Sequence, residues 1–254
     1  KKQITYLISI LLIFAFAACS SGQTVTVSSP ETSDTTSSQV AEVIQEVSIT
    51  TVTGEATTPT ILAENQPVHT DASDYTWDSS SVIPITLNGT SITADHPAVS
   101  VDGATATITA AGTYSLSGSL SDGQILVNSV EEGLVRLIMN GVDLHSSTSA
   151  PVYILAADEV MIVLADGTEN AVSDGSAYVQ ADSASNEPNA PIFSMADLTI
   201  FGSGSLIVKA NYQDGISSKD GLLIAGGNIH VTAEDDGIRG KDYLVIENGD
   251  ITIQ

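Results

Sequence analysis

Near its C-terminus the chain repeats itself. Asp214-Gly215-Ile216-Ser217-Ser218-Lys219-Asp220 returns 22 residues later as Asp236-Gly237-Ile238-Arg239-Gly240-Lys241-Asp242. The residues that follow keep the same template, so that Leu222 to Val231 lines up with Leu244 to Ile253. A period of about 20–30 residues, made of short β-branched runs between Gly, Asn and Asp, marks a solenoid. Stacking sets equivalent positions above one another, so any residue type that recurs becomes a ladder.

Residues nearer the N-terminus fit the same template less closely. Ile192 to Ile200 matches Ile216 to Ile224, and Pro151 to Leu164 is a looser match. Further upstream, short β-forming runs close on turn residues: Ile83–Leu87 before Asn88-Gly89, Leu134–Met139 before Asn140-Gly141, Val160–Leu164 before Asp166-Gly167. Runs of that length and spacing predict an all-β domain. Inward positions are expected at Ile192, Leu198, Ile200, Leu206, Val208, Ile216, Leu222, Ile224, Ile229, Val231, Ile238, Leu244, Ile246, Ile251 and Ile253. The stretch Ala165 to Asn189 is rich in Asp, Ser and Asn and is expected to leave the stack as a loop.

The first residues read as a secretory signal: Lys1 and Lys2, an apolar run from Ile4 to Ala18, then Phe16-Ala17-Ala18-Cys19. The run is too short to span a bilayer. It resembles a bacterial lipobox, which makes Cys19, the one cysteine of the chain, the expected lipidation site. Residues 1–19 are therefore expected to be a lipoprotein signal. Residues 20–80, rich in Ser and Thr and without helical period, are expected to be a disordered tether. Such a tether spans about 40 Å. Residues 82–254 form the expected domain, a monomer whose last strand, Ile251 to Gln254, reads as cut short.

Charge narrows the partners. With 31 acidic and seven basic residues the formal net charge is −24. Nucleic acid and anionic lipid both require a basic surface, so membrane contact is expected through the lipid anchor alone. The repeat aligns Asp214, Asp220, Asp235, Asp236 and Asp242. Adjacent strands lie about 4.8 Å apart. Two carboxylates at that spacing repel by about 0.8 kcal/mol in water and about 3 kcal/mol at an effective dielectric of 20. Lys219, Arg239 and Lys241 are too few to neutralise the ladder. A hard cation ligated by oxygens, calcium above all, suits this composition. Glu187, Asn189 and Asp197 form a second oxygen-rich candidate group, and the four scattered histidines suggest no softer metal.

Several segments resemble the bacterial secreted carbohydrate-binding domain-containing family. They are Thr109 to Gly118, Leu137 to Leu144, Ala165 to Asn170, Asn211 to Ile216 and Asp235 to Asp242, in family order. The resemblance implies a right-handed parallel β-helix with bound calcium, similar in architecture to pectate lyases. It also implies association with plant cell-wall polysaccharide. Met195-Ala196 departs from the Lys-Asp pair found in the two later copies.

Three functional classes remain. A calcium-dependent binder of pectic or cellulose-like glycan would use Tyr212 and Tyr243 as stacking platforms and Lys219, Arg239 and Lys241 as a basic patch, with Tyr178 a weaker platform. A lyase would use Lys219, Lys241 or Arg239 as the base beside calcium. A surface adhesin or spacer would need none of these. The Lys-Asp pairs recur with the repeat, which suits a structural salt-bridge ladder better than a single catalytic base. Binding at the cell surface, outside the cytoplasm, is therefore the expected role.

Overall fold

The computed structural model describes residues 69–180 and 185–254. The expected signal segment, Cys19 and most of the expected tether lie outside those residues. Two short 3₁₀ turns, Ala72–Tyr75 and Ser79–Ser81, precede the strands. The first strands are β1 (Ile83–Gly89), β2 (Ile92–Thr93), β3 (Val99–Asp102), β4 (Thr105–Ile108), β5 (Gly112–Leu120) and β6 (Gln124–Asn128). Next come β7 (Leu134–Ser146), β8 (Val152–Ala156), β9 (Glu159–Leu164) and β10 (Glu169–Asp174). The repeats then supply three strands each: β11 (Ile192–Ser194), β12 (Asp197–Gly202) and β13 (Ser205–Lys209); β14 (Ile216–Ser218), β15 (Gly221–Ile224) and β16 (Asn228–Thr232); β17 (Ile238–Gly240), β18 (Tyr243–Ile246) and β19 (Asp250–Ile253).

The all-β expectation holds, and the repeat copies pair in parallel with the predicted register: Ile216 with Ile238, Leu222 with Leu244, Ile229 with Ile251. The right-handed parallel β-helix is corrected. A uniform solenoid keeps each face of the stack as a separate sheet. Here one curled, half-barrel sheet of twelve strands takes two of the three strands of every repeat, in the order β18-β15-β12-β9-β7-β10-β13-β16-β19. The joint is β7, whose first half pairs with β9 and whose second half pairs with β10. Its chain turns at Asn140-Gly141, where Gly141 has φ +73°. Buried Asn170 plugs the bend, its Oδ1 accepting from Gly141 N and Val142 N at 3.0 Å each while its Nδ2 donates to Ser205 O at 3.0 Å. The remaining strands form a second, mixed sheet of seven, β17-β14-β11-β8-β6-β4-β3, with β3 and β4 antiparallel.

Alternation along each strand fills the core between the sheets. Leu198, Ile200, Leu206, Val208, Ile216, Leu222, Ile224, Ile229 and Val231 are fully buried, as expected. The last copy differs: Leu244 is 40%, Ile246 50% and Ile253 51% exposed, because β17, β18 and β19 have a neighbour on one side only. A smaller apolar cluster of Ala150, Phe193 and Ala190, with Tyr153 and Tyr178 packed against it, lies apart from that core. It brings the stretch before β11 against β8 and β11. Less of the polar stretch loops out than expected, since 169–174 is the buried-register strand β10.

The last part of the expected tether belongs to the packed body. His69 Nε2 lies 3.0 Å from Thr199 Oγ1, Tyr75 meets Phe201 edge-on at 4.8 Å, and Arg136 donates to Asp74 O at 2.7 Å. Among the described residues no helix is long and apolar enough to cross a membrane.

Candidate functional site

The aspartates expected on one ladder divide between two corners, because β14 and β17 separate the first of each copy from the last. The corner before β14 and β17 is built from tight Asp-Gly turns. A Cβ on Gly215 would collide with Gly237 O and Val231 Cγ1, so the close stacking of copies requires glycine there. Backbone bonds from Gly215 N to Asp236 O, 2.8 Å, and from Ile216 N to Gly237 O, 3.0 Å, lock the turns together.

That registration buries Asp214, 1% exposed, beneath Asp236. Asn189 Nδ2 donates to Asp214 Oδ2 at 2.8 Å, and Asp214 Oδ1 lies 3.4 Å from Asp236 N. Arg239 Nη1 approaches Asp214 Oδ2 at 3.9 Å and Asp236 Oδ2 at 3.7 Å. Among the described residues, two buried polar atoms nearby in the fold, Asn189 Oδ1 and Ser217 Oγ, have no hydrogen-bond partner. Asp235 is exposed and takes no part beyond its backbone bond to Gln213 O.

Beside this corner the insertion presents aromatic surface. Tyr178 and Tyr212 stack with centroids 4.5 Å apart and planes at 17°. Tyr178 donates to buried Asp174 Oδ2 at 2.7 Å, and Asn211 N donates to Asp174 Oδ1 at 2.5 Å. Burial first, then the Asp174 carboxylate, pushes the Tyr178 hydroxyl well above its ordinary value. Burial likewise raises the Asp174 carboxyl. The Tyr212 hydroxyl reaches exposed Asn186 Oδ1 at 3.3 Å, and Asn186 Nδ2 donates to Gln213 Oε1 at 3.0 Å. Asn186, Gln213, Asn211 and Asp174 were not singled out in the sequence. The one signal for them was the density of amides in Asn186 to Asn189 and Asn211 to Gln213.

The opposite corner, after β14 and β17, holds Asp197, Asp220 and Asp242. Gly221 N donates to Asp197 Oδ1 at 2.9 Å, and Asp242 N lies 3.3 Å from Asp220 O. Burial, then Asp197 and Asp242, raises the Asp220 carboxyl. Tyr243, like Tyr212, has one ring face covered by a neighbouring ring. It lies over His69 at 5.8 Å with planes at 23°, and its hydroxyl contacts His69 Nδ1. Burial lowers the His69 pKa although Asp197, Asp220 and Asp74 oppose it.

The expected basic patch is divided as well. Lys219 Nζ binds Glu187 Oε1 at 2.6 Å and sits 5.6 Å above the Phe193 ring. This takes Glu187 out of the expected metal group. Lys241 is exposed, 4.0 Å from Asp242 Oδ1. Among the described residues no three His, Cys, Asp or Glu side chains converge as a metal cage. The Asp214 corner offers two carboxylates and an amide oxygen instead.

The half-buried Tyr178–Tyr212 pair and the exposed amide of Asn186 thus lie beside an acidic corner carried on rows of parallel strands. A family model described as carbohydrate-binding domain-containing protein matches residues 102–254, and the chain belongs to that family. A carbohydrate-binding domain-containing protein of Acetivibrio thermocellus is 45% identical over 126 residues, which are 50% of this chain and 44% of the relative. The match thus spans less than half of that relative's length. A solved structure of a polysaccharide lyase-like protein from C. thermocellum, a gadolinium derivative, is similar with a TM-score of 0.66 and 40% identity, covering 67% of this chain and 69% of that one. Family and fold together support carbohydrate binding in general.

Proposed function

We propose that the chain binds cell-wall polysaccharide without cleaving it, with the Tyr212 ring as platform and a hard cation, calcium, at the Asp214 corner. The observation that carries the reading is the Tyr178–Tyr212 stack. It fixes an aromatic plane and flanks it with the exposed amide of Asn186 and the half-buried amide of Gln213. Sugars present an apolar C–H face and a rim of hydroxyls, which match a ring edged by amide donors and acceptors. Two of the three candidate bases are engaged by carboxylates, Lys219 by Glu187 and Arg239 by Asp214 and Asp236. This favours holding a glycan over abstracting its proton.

Calcium fits the Asp214 corner by donor chemistry. Asp214, Asp236 and Asn189 would hold it, and the buried Asn189 Oδ1, which lacks a donor, would gain a partner. That the solved relative is a gadolinium derivative supports the choice of a hard, oxygen-seeking ion. The Asp197–Asp220–Asp242 corner is a second candidate, with Asp197 bonded to Gly221 N. The domain acts outside the cytoplasm in this reading, held to the cell surface by a lipid on Cys19.

Calorimetric titration of purified protein with hydroxyethylcellulose and with polygalacturonate, each with calcium and with chelator, tests it. Absorbance at about 235 nm reports unsaturated product in the same samples. Binding that Tyr212→Ala weakens, with flat absorbance, supports the proposal. Rising absorbance would make the chain a lyase. Absence of binding to either polymer would favour an adhesin or spacer.

A further inference from the structure

Arg239 is poorly satisfied where it stands. Its guanidinium is 3.9 and 3.7 Å from the Asp214 and Asp236 oxygens, beyond the roughly 2.7–2.9 Å of a charge-assisted hydrogen bond. Half of its side chain is exposed, while Asp214 is buried. It offers nothing to Asn189 Oδ1, which is buried without a partner among the described residues while Nδ2 of the same amide donates to Asp214 Oδ2. The guanidinium balances charge at this corner without completing its coordination.

The corner also faces a difficulty of sign. A chain of formal charge −24 repels a polyuronate, and of its basic candidates Lys219 is bonded to Glu187 while Arg239 and Lys241 stand near carboxylates of their own. We propose that Arg239 is a specificity-determining residue that stands in for the cation. It neutralises Asp214 and Asp236 in the cation-free chain, and it is released to grip the carboxylate of an acidic sugar once a divalent ion takes those two oxygens. This rests on the cation reading of the Asp214 corner. Asp214, Asp236 and Arg239 leave the corner at about −1, or about −2 with exposed Asp235 counted, and a divalent ion brings it to about +1 or about 0, so the local field repels a uronate far less. The geometry suits the hand-over. Arg239 lies on β17 in register with Ser217 of β14, and Ser217 with Phe193 of β11. The released guanidinium thus lies on the strand row that carries Lys219 over Phe193, with Tyr212 two residues before Asp214. A planar, five-donor fork is the side chain that grips a carboxylate with two bonds.

Calorimetry with calcium chloride, then with polygalacturonate at saturating calcium, decides the matter in wild type, Arg239→Met and Arg239→Lys. Lys209→Met serves as a control for net charge, at an exposed position of β13. Removal of the internal competitor is expected to tighten calcium about five- to tenfold in Arg239→Met, and polygalacturonate affinity is expected to fall about tenfold. Arg239→Lys, with a compact charge and no fork, is expected between the two on both readouts, and it carries the test should the Met variant fold poorly. Lys209→Met is expected at wild-type values. Calcium bound by wild type and equally well or more weakly by Arg239→Met would overturn this inference while leaving the cation reading intact. Absence of calcium binding in wild type would overturn both.

Discussion

Replacing Glu159 with Gln is expected to stabilise the protein above neutral pH and to leave it unchanged in acid. Glu159 opens β9 in register with Leu134 and Asp197, and its Oε1 is buried without a partner among the described residues. Arg136 stands nearby, but it donates to Asp74 O and Thr113 Oγ1. Burial first, then Asp74, Asp197 and Asp158, lifts the carboxyl from 4.5 to about 7, against a smaller opposing effect of Arg136. Between those values the native state keeps a proton that the unfolded chain gives up, so stability falls as pH rises from 4.5 to about 7 and is level beyond. At about 1.36 kcal/mol per pH decade the loss reaches about 3.4 kcal/mol. Partial exposure and screening reduce it to about 2 kcal/mol. Glutamine, neutral at every pH, escapes that loss. Thermal melts by circular dichroism should place Glu159→Gln about 4–8 °C above wild type near pH 8 and level with it near pH 4. Parallel wild-type and variant profiles across that range would refute the reasoning, as would a variant less stable than wild type near pH 8.

Leu198 and Leu244 occupy the same ladder, one fully buried and one 40% exposed, so Leu198→Ala should cost about 3 kcal/mol in urea unfolding and Leu244→Ala less than about 1 kcal/mol. Gly215→Ala should destabilise by about 2 kcal/mol or more, since its Cβ meets backbone of the next copy; a wild-type melting temperature would contradict that packing. Tyr212→Ala should weaken glycan binding about tenfold, with the melting temperature nearly constant because the ring is half-exposed. Lys219→Ala removes the 2.6 Å bond to Glu187 and should speed proteolytic cleavage near the insertion, read by gel time course.

The copies at 214–220 and 236–242 made parallel, in-register pairing legible before any coordinates, because one offset relates every inward aliphatic of one copy to its partner in the next. Alternation made the inward set legible too, down to Leu198, Leu206 and Ile229. It failed at Leu244, Ile246 and Ile253 because burial depends on a neighbour on each side, which pattern does not count. It also missed β10, whose Asn170 and Asp174 are buried polar groups. These side chains bond backbone at the bend of β7 and at Asn211, and look like loop residues until those partners are known.

The candidate site divides along the same line. Residue type alone suggests oxygen ligands, a hard ion and tyrosine platforms, because those expectations rest on side-chain chemistry rather than on fold. Spacing alone grouped five aspartates that β14 and β17 hold at two corners. It gave no sign that Asn189, 25 residues before Asp214, returns to bond it. Local periodicity, and through it strand, register and inward face, was determined by the sequence itself, because each depends on neighbours a fixed number of residues away. The single curled sheet, the stacking of Tyr178 on Tyr212 and the division of charge among Glu187, Lys219, Asp214 and Arg239 were decided by tertiary structure. Each needs side chains from separate repeats to meet, and only the closed packing of the two sheets and the insertion brings them into contact.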